Sequence, residues 1–188
     1  MKLLILNWQD IKNPLAGGAE VHLHEVFSRI ARSGHEVTLY CSAFPGSASE
    51  EVIDGIRVLR EGGRYFFNCR VPAAYLKRLA RASFDVVIDD MNKIPFFTPL
   101  YVRKPLVCVT HHLFGGSIFK ETNPLLASYV YTLERLGVAL LASHNVPFIV
   151  GSPSTRDELI RKGCNPESVH VVYYAVDHRI HRVTGVPK

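Results

Sequence analysis

The sequence lacks the marks of several protein classes. It contains no uninterrupted apolar run of the roughly 18–20 residues a membrane-spanning helix needs. The opening MKLLILNW meets Gln9-Asp10 too soon to form the apolar centre of a secretory signal. The four cysteines, Cys41, Cys69, Cys108 and Cys164, lie far apart, and no Cys-x-x-Cys occurs. That excludes a dense disulfide scaffold and gives no zinc site, so a reducing cytosol is the expected compartment. There is no Gly-x-Gly-x-x-Gly and no Gly-Lys-Ser/Thr, so neither a dinucleotide fingerprint nor a Walker-type phosphate loop is indicated. No Asp-x-Asp offers a divalent-metal clamp for a nucleotide, no internal repeat or low-complexity tract appears, and no nucleic-acid motif is found. Neither a cofactor nor a metal nor a nucleic-acid partner is expected.

What is there suits one globular domain. At 188 residues the chain is long enough to bury a core without staples, and 47% hydrophobic residues exclude global disorder. A net charge of +5 and a pI near 9.1 lean toward anionic partners.

Short β-rich runs alternate with helix-periodic ones. Strands are expected at residues 2–8, 36–41, 55–61, 84–90, 105–110, 148–151 and 169–174. Helices are expected at 18–32, 73–82, 95–102, 124–141 and 152–162. Ser152 suits the cap of the last helix and Gly163 its stop. Residues 44–51 read as a loop, and 178–188 as a linker or tail after a domain over 1–177. Continuous apolar strands separated by helices imply a doubly wound, Rossmann-like α/β fold with a mostly parallel sheet covered on both faces. Ligands then bind beyond the carboxyl ends of the strands.

Several residues sit where such a fold does chemistry. Gly17-Gly18, between the first strand and first helix, is either a plain tight turn or an open approach to a helix N-terminus. Glu20 falls in that helix's first turn, where the dipole favours a carboxylate. His22 and His24 point in different directions from one helix and read as surface or partly buried histidines. Thr110-His111-His112 follows a buried strand, so a histidine projects toward the crevice or belongs to a polar loop. Asp89-Asp90 ends another strand and either orients a ligand hydroxyl or is a solvated end. From Arg60 to Arg81, basic residues (Arg70, Lys77, Arg78 and Arg81 among them) interleave with aromatics. They form an anionic-membrane contact or a solvated helix whose aromatics join the core.

Four stretches together resemble one family. Gly17-Gly18-Ala19-Glu20, Asn92-Lys93-Ile94-Pro95-Phe96-Phe97, Thr110-His111-His112 and Gly151-Ser152-Pro153-Ser154-Thr155-Arg156-Asp157-Glu158-Leu159 are similar, in order and spacing, to segments of the retaining glycosyltransferases of family 4. The resemblance implies one half of a GT-B fold, in which two Rossmann-like domains face each other across a cleft. It implies a nucleoside-diphosphate sugar as donor and a sugar or lipid-linked acceptor, with no metal. On this resemblance Gly17 and Gly18 lie near donor phosphate and acceptor. His111 contacts the donor sugar near the reacting carbon, as the catalytic histidine. Glu20, His112, Ser152 and Thr155 fall in the substrate- and donor-binding segments.

Two departures stand out. His112 occupies a position where many relatives carry Asp, and Tyr174-Ala175-Val176-Asp177 replaces the usual Asn-Gly-Val/Ile-Asp. The resemblance covers only the acceptor-side half, so the donor-gripping half, with its Glu-x7-Glu motif, is expected from a C-terminal domain or partner chain. Two alternatives remain on the sequence alone. One is a non-catalytic module that holds an anionic glycolipid or a partner. The other is a nucleotide-binding enzyme of unrelated chemistry on the same fold. The expected location is cytoplasmic, with peripheral attachment to the inner membrane face through the basic segment.

Overall fold

The computed structural model describes residues 1–63 and 66–175. The expected tail at 178–188, together with Arg64, Tyr65, Val176 and Asp177, lies outside the described residues. Eight strands form one sheet in the order β3-β4-β2-β1-β5-β6-β7-β8. They are β1 (Lys2–Leu6), β2 (Glu36–Cys41), β3 (Glu50–Ile53), β4 (Ile56–Arg60), β5 (Val86–Met91), β6 (Leu106–Thr110), β7 (Phe148–Val150) and β8 (Val169–Val171). Every neighbouring pair is parallel except β3 with β4. The fold is therefore the Rossmann-like α/β arrangement the alternation implies.

The β3–β4 hairpin is the main departure from expectation, since residues 44–51 read as a loop. Its turn is Asp54-Gly55, both left-handed at φ 47° and 86°. That is the two-residue turn whose twist matches paired strands, and Asp-Gly between alternating apolar residues is its sequence signal.

Five α-helices cover the sheet: α1 (Gly18–Arg32), α2 (Phe67–Lys77), α3 (Ile118–Glu121), α4 (Pro124–Ser143) and α5 (Pro153–Arg161). α1 packs Leu23 and Phe27 against Leu3, Ile5, Leu39 and Ile88 on one face. α2 places Phe67, Val71 and Tyr75, one stripe at i, i+4 and i+8, against Leu4, Leu6 and Val87 on the other. That stripe explains why α2 starts earlier than residue 73. Pro72 reads as a helix start, but burial of Phe67 and Val71 extends the helix N-terminally past it. The expected helix at 95–102 is only a one-turn 3-10 segment, Thr98–Leu100.

α4 contains no uninterrupted apolar run, since Glu134 and Arg135 break it, but as a whole helix it reaches spanning length. It has 20 residues, and a mean hydropathy of 1.3 over an 18-residue window makes it long and apolar enough to cross a membrane. Here it packs Val138 and Leu141 against Phe148 and Leu159. Its buried face also carries a carboxylate, Glu134. That carboxylate accepts the backbone N–H groups of Phe114 (2.7 Å) and Gly115 (2.9 Å), pinning the loop after β6.

Sheet order reverses direction at β1, which is flanked by β2 on one side and β5 on the other. The loops leaving β1 and β5 therefore diverge to opposite sides and open a crevice at the carboxyl edge.

Candidate functional site

The loop after β1 forms one wall of this crevice. A buried ion pair anchors it. Arg60, at the end of β4, reaches Asp10 with Nε to Oδ2 at 2.6 Å and Nη2 to Oδ1 at 2.9 Å, while its Nη1 lies 2.6 Å from Glu51. Both Asp10 and the Arg60 side chain are essentially inaccessible. The guanidinium and the Lys12 N–H hold the Asp10 carboxyl below the usual range, although burial pushes the other way. Arg60 is thus a structural residue and not part of a basic surface.

The anchored loop delivers Gly17 to the start of α1. Glu20 is buried, and its Oε2 accepts the Gly17 N–H at 2.7 Å, a side chain reaching back to close the helix start. Its Oε1 lies 3.5 Å from the amide nitrogen of Asn92 in the loop after β5. Glu20 therefore ties the two walls of the crevice together. Gly17 and Gly18 are exposed, and a Cβ added at Gly18 would meet no atom within 4 Å. The first-turn N–H groups of α1 lack helical acceptors, as at any helix start.

The loop after β5 is held in unusual backbone geometry. Lys93 (φ 68°) and Phe97 (φ 54°) are both left-handed. Side chains in that region cost about 1–2 kcal/mol each, which the burial of Ile94 and Phe96 and the Asn68 contacts to the Ile94 and Pro95 carbonyls offset.

Asp89 and Asp90 are both buried, which corrects the solvated-end alternative. They point to opposite faces. Asp89 accepts a hydrogen bond from Thr98 Oγ1 at 2.8 Å, and burial pushes its carboxyl up to about 7. Asp90 is in register with Val109, so His111, two residues on, lies on the same face. His111 Nε2 stands 3.2 Å from Asp90 Oδ1. The contact is an ion pair by distance without hydrogen-bond alignment, and neither atom has another partner among the described residues. Burial opposes the His111 charge, but Asp90 and then Glu20 outweigh it and hold the imidazole above its ordinary range.

Two further residues complete the cluster. The Tyr174 hydroxyl lies 2.6 Å from His111 Nδ1. The His22 ring packs on Tyr174 at 4.4 Å and edge-on to His111 at 5.3 Å. Burial, and then the His111 charge, depress the basicity of His22. His22, Asp90 and Tyr174 edge a cavity of about 290 Å³ whose apolar lining includes Leu23, Val26, Val107 and Ile149.

The remaining expected residues are spread wider. His112 is exposed and packs on Phe114 at 4.4 Å. Ser152 caps α5, accepting the Thr155 N–H at 3.2 Å, and Thr155 is buried. Arg70 and Arg78 lie 3.8 and 3.0 Å from Glu61, whereas Lys77 and Arg81 are exposed on the α2 side. Phe67 and Tyr75, expected among the interleaved aromatics, are core, but Phe66 is exposed. The sequence reading missed the roles of His22 and Tyr174. Strand parity puts Asp90 and His111 on one face once β5 and β6 are neighbours in register, but nothing in the sequence brings the end of β8 back across them.

The sequence matches the model of Glycosyltransferase Family 4 over residues 16–179. The chain belongs to glycosyltransferase family 4. The match takes in the glycine turn, the His111 segment and the α5 segment together. No curated protein matches the sequence significantly. Among solved structures, HepE from Anabaena in complex with UDP and glucose superposes with a TM-score of 0.61 at 17% identity. The superposition covers 96% of this chain and 46% of HepE, so the family 4 domain spans about half of that protein's length. A HepE complex with UDP-glucose gives the same TM-score at 16% identity, covering 96% of this chain and 45% of HepE. Sucrose-phosphate synthase from Thermosynechococcus elongatus gives 0.64 at 10% identity, over 94% of this chain and 91% of that one. These likenesses establish the shared fold.

Proposed function

We propose that this domain is the acceptor-side half of a retaining glycosyltransferase whose donor is a nucleoside-diphosphate sugar. The observation that carries the reading is the meeting of an open helix N-terminus at Gly17-Gly18 with the Asp90-supported His111 in one crevice. The helix end offers N–H groups and a positive dipole to a phosphate. His111, held toward its charged form, offers a hydrogen bond to a sugar or phosphate oxygen. Transfer with retention asks for a positioned donor, a stabilised leaving diphosphate and a nearby acceptor hydroxyl, and these groups supply positioning and charge without a metal. That the solved HepE structures contain UDP and UDP-glucose supports a nucleotide sugar as the donor class.

In this reading the other wall of the cleft comes from a C-terminal domain or chain, which the coverage of under half of HepE supports. By itself the domain holds ligand weakly and transfers nothing. The test joins it to the C-terminal half of a family 4 enzyme and measures sugar transfer with and without His111→Ala. Transfer that His111→Ala abolishes supports the reading, and undiminished transfer refutes it.

Exposed Leu76 and Lys77 at the end of α2, with exposed Arg81 shortly after, favour a second element, peripheral contact with an anionic membrane on the cytoplasmic side. Sedimentation with anionic vesicles that salt reverses would support it, and equal recovery with neutral vesicles would refute it.

A further inference from the structure

His111 has two ring nitrogens, and both are engaged. Nε2 is turned to the buried carboxylate of Asp90. It must carry a proton there, because an unprotonated nitrogen would set a lone pair against the carboxylate oxygen. Nδ1 is then the side left for a ligand, and the Tyr174 hydroxyl covers it at 2.6 Å. In the neutral imidazole the phenol donates to Nδ1, and in the charged form Nδ1–H donates to the phenolic oxygen.

The attachment of Tyr174 is local. Its residue lies beyond β8, past the Val172 N–H that donates to the Val150 carbonyl at 2.8 Å. Its ring is held by the His22 contact and by a space that only glycine leaves. A Cβ at Gly151 would stand 2.4 Å from Tyr174 Cζ. The side chain remains 45% exposed. It can leave without breaking a sheet hydrogen bond.

We propose that Tyr174 gates His111, its phenol occupying the nitrogen that a ligand oxygen takes, so that the ligand engages only after Tyr174 swings out. The proposal rests on the reading of His111 as a ligand contact. In the charged imidazole a phosphate oxygen competes with the phenol for the Nδ1–H, and it brings a second, opposite charge to a bond in which the phenol is a neutral acceptor. Four titratable groups face the imidazole: Asp90, Glu20, His22 and Tyr174 itself. None of the other three offers Nδ1 a partner.

The full chain tests this without a ligand. Diethyl pyrocarbonate acylates unprotonated imidazole, and peptide mass spectrometry reads the rate at each histidine. In the unaltered chain His111 should react much more slowly than exposed His112 and His144. Tyr174→Phe, which removes only the hydroxyl, and Gly151→Ala, which pushes the intact tyrosine out, should each raise the His111 rate about tenfold relative to those references. His111 reacting as fast as His112 in the unaltered chain, or unchanged in both variants, would overturn the gate. If one variant speeds every histidine together it is unfolded, and the His111 to His112 ratio in the other variant decides. Adding UDP-glucose to the Tyr174→Phe chain separates the two ideas. Lack of protection at His111 counts against its role as a ligand contact, while the accessibility result still decides the gate.

Discussion

His111 Nε2 lies 3.2 Å from Asp90 Oδ1, a contact between the ends of two adjacent parallel strands whose register puts both residues on one face. Asp90 therefore sets the charge of His111. In the folded chain His111 should titrate above the ordinary value of 6.5, because the carboxylate outweighs burial. The pair's contribution to stability is full below that ordinary value and is lost as pH rises through the raised one. Asp90→Asn should drop His111 below 6.5, since burial then faces weaker opposition. NMR titration of the His111 ring protons in both chains measures this directly.

Arg60 and Asp10 form the anchor for the glycine loop. Removing one partner leaves an unpaired charge where no water reaches it. Arg60→Ala should cost about 3–5 kcal/mol, far more than removal of an exposed arginine such as Arg81. Urea unfolding of both variants checks the contrast.

A Cβ at Gly18 would meet nothing within 4 Å, and its φ is not in the left-handed region. Gly18→Ala should therefore leave the fold intact and raise stability by up to about 1 kcal/mol. The new methyl group projects where a ligand would approach the helix end, so binding of a nucleotide sugar should fall while the melting temperature does not. Calorimetry and ligand titration on the same sample separate the two effects.

Asp89 is buried with its carboxyl pushed up to about 7, well above its ordinary value of 3.8. The folded state then holds a proton that the unfolded state gives up. Its contribution is full below about 3.8 and declines as pH rises toward about 7. Asp89→Asn keeps an acceptor for Thr98 and removes the ionisation. The variant should flatten the fall in stability across this interval, as measured by denaturant midpoints from pH 4 to pH 8.

Much of the architecture was legible because the signals are local. The stripe of α1, its Gly34 stop and the Ser152 cap of α5 each fix an element boundary by a contact within a few residues. The β3–β4 hairpin was missed although Asp54-Gly55 announces it, because the acidic Glu50-Glu51 start looked like loop. The candidate site was legible in part. Gly17, Gly18 and His111 follow from strand ends, but Arg60 reads as surface charge until Asp10 is placed beside it 50 residues away. Tyr174 likewise acquires meaning only from its contact with His111, 63 residues earlier. Contacts of that separation depend on how strands order in the sheet, which no local pattern encodes.

In the proposed function this domain is one half of a nucleotide-sugar cleft, lined by the α1 N-terminus and His111. The most direct test is an NMR titration of the isotope-labelled chain with UDP-, GDP- and ADP-sugars. Weak binding is expected, with shifts confined to Gly17–Glu20, His111–His112 and their contacts. Submillimolar binding of one nucleotide by this chain alone would contradict the half-site, and shifts centred elsewhere would contradict the site itself.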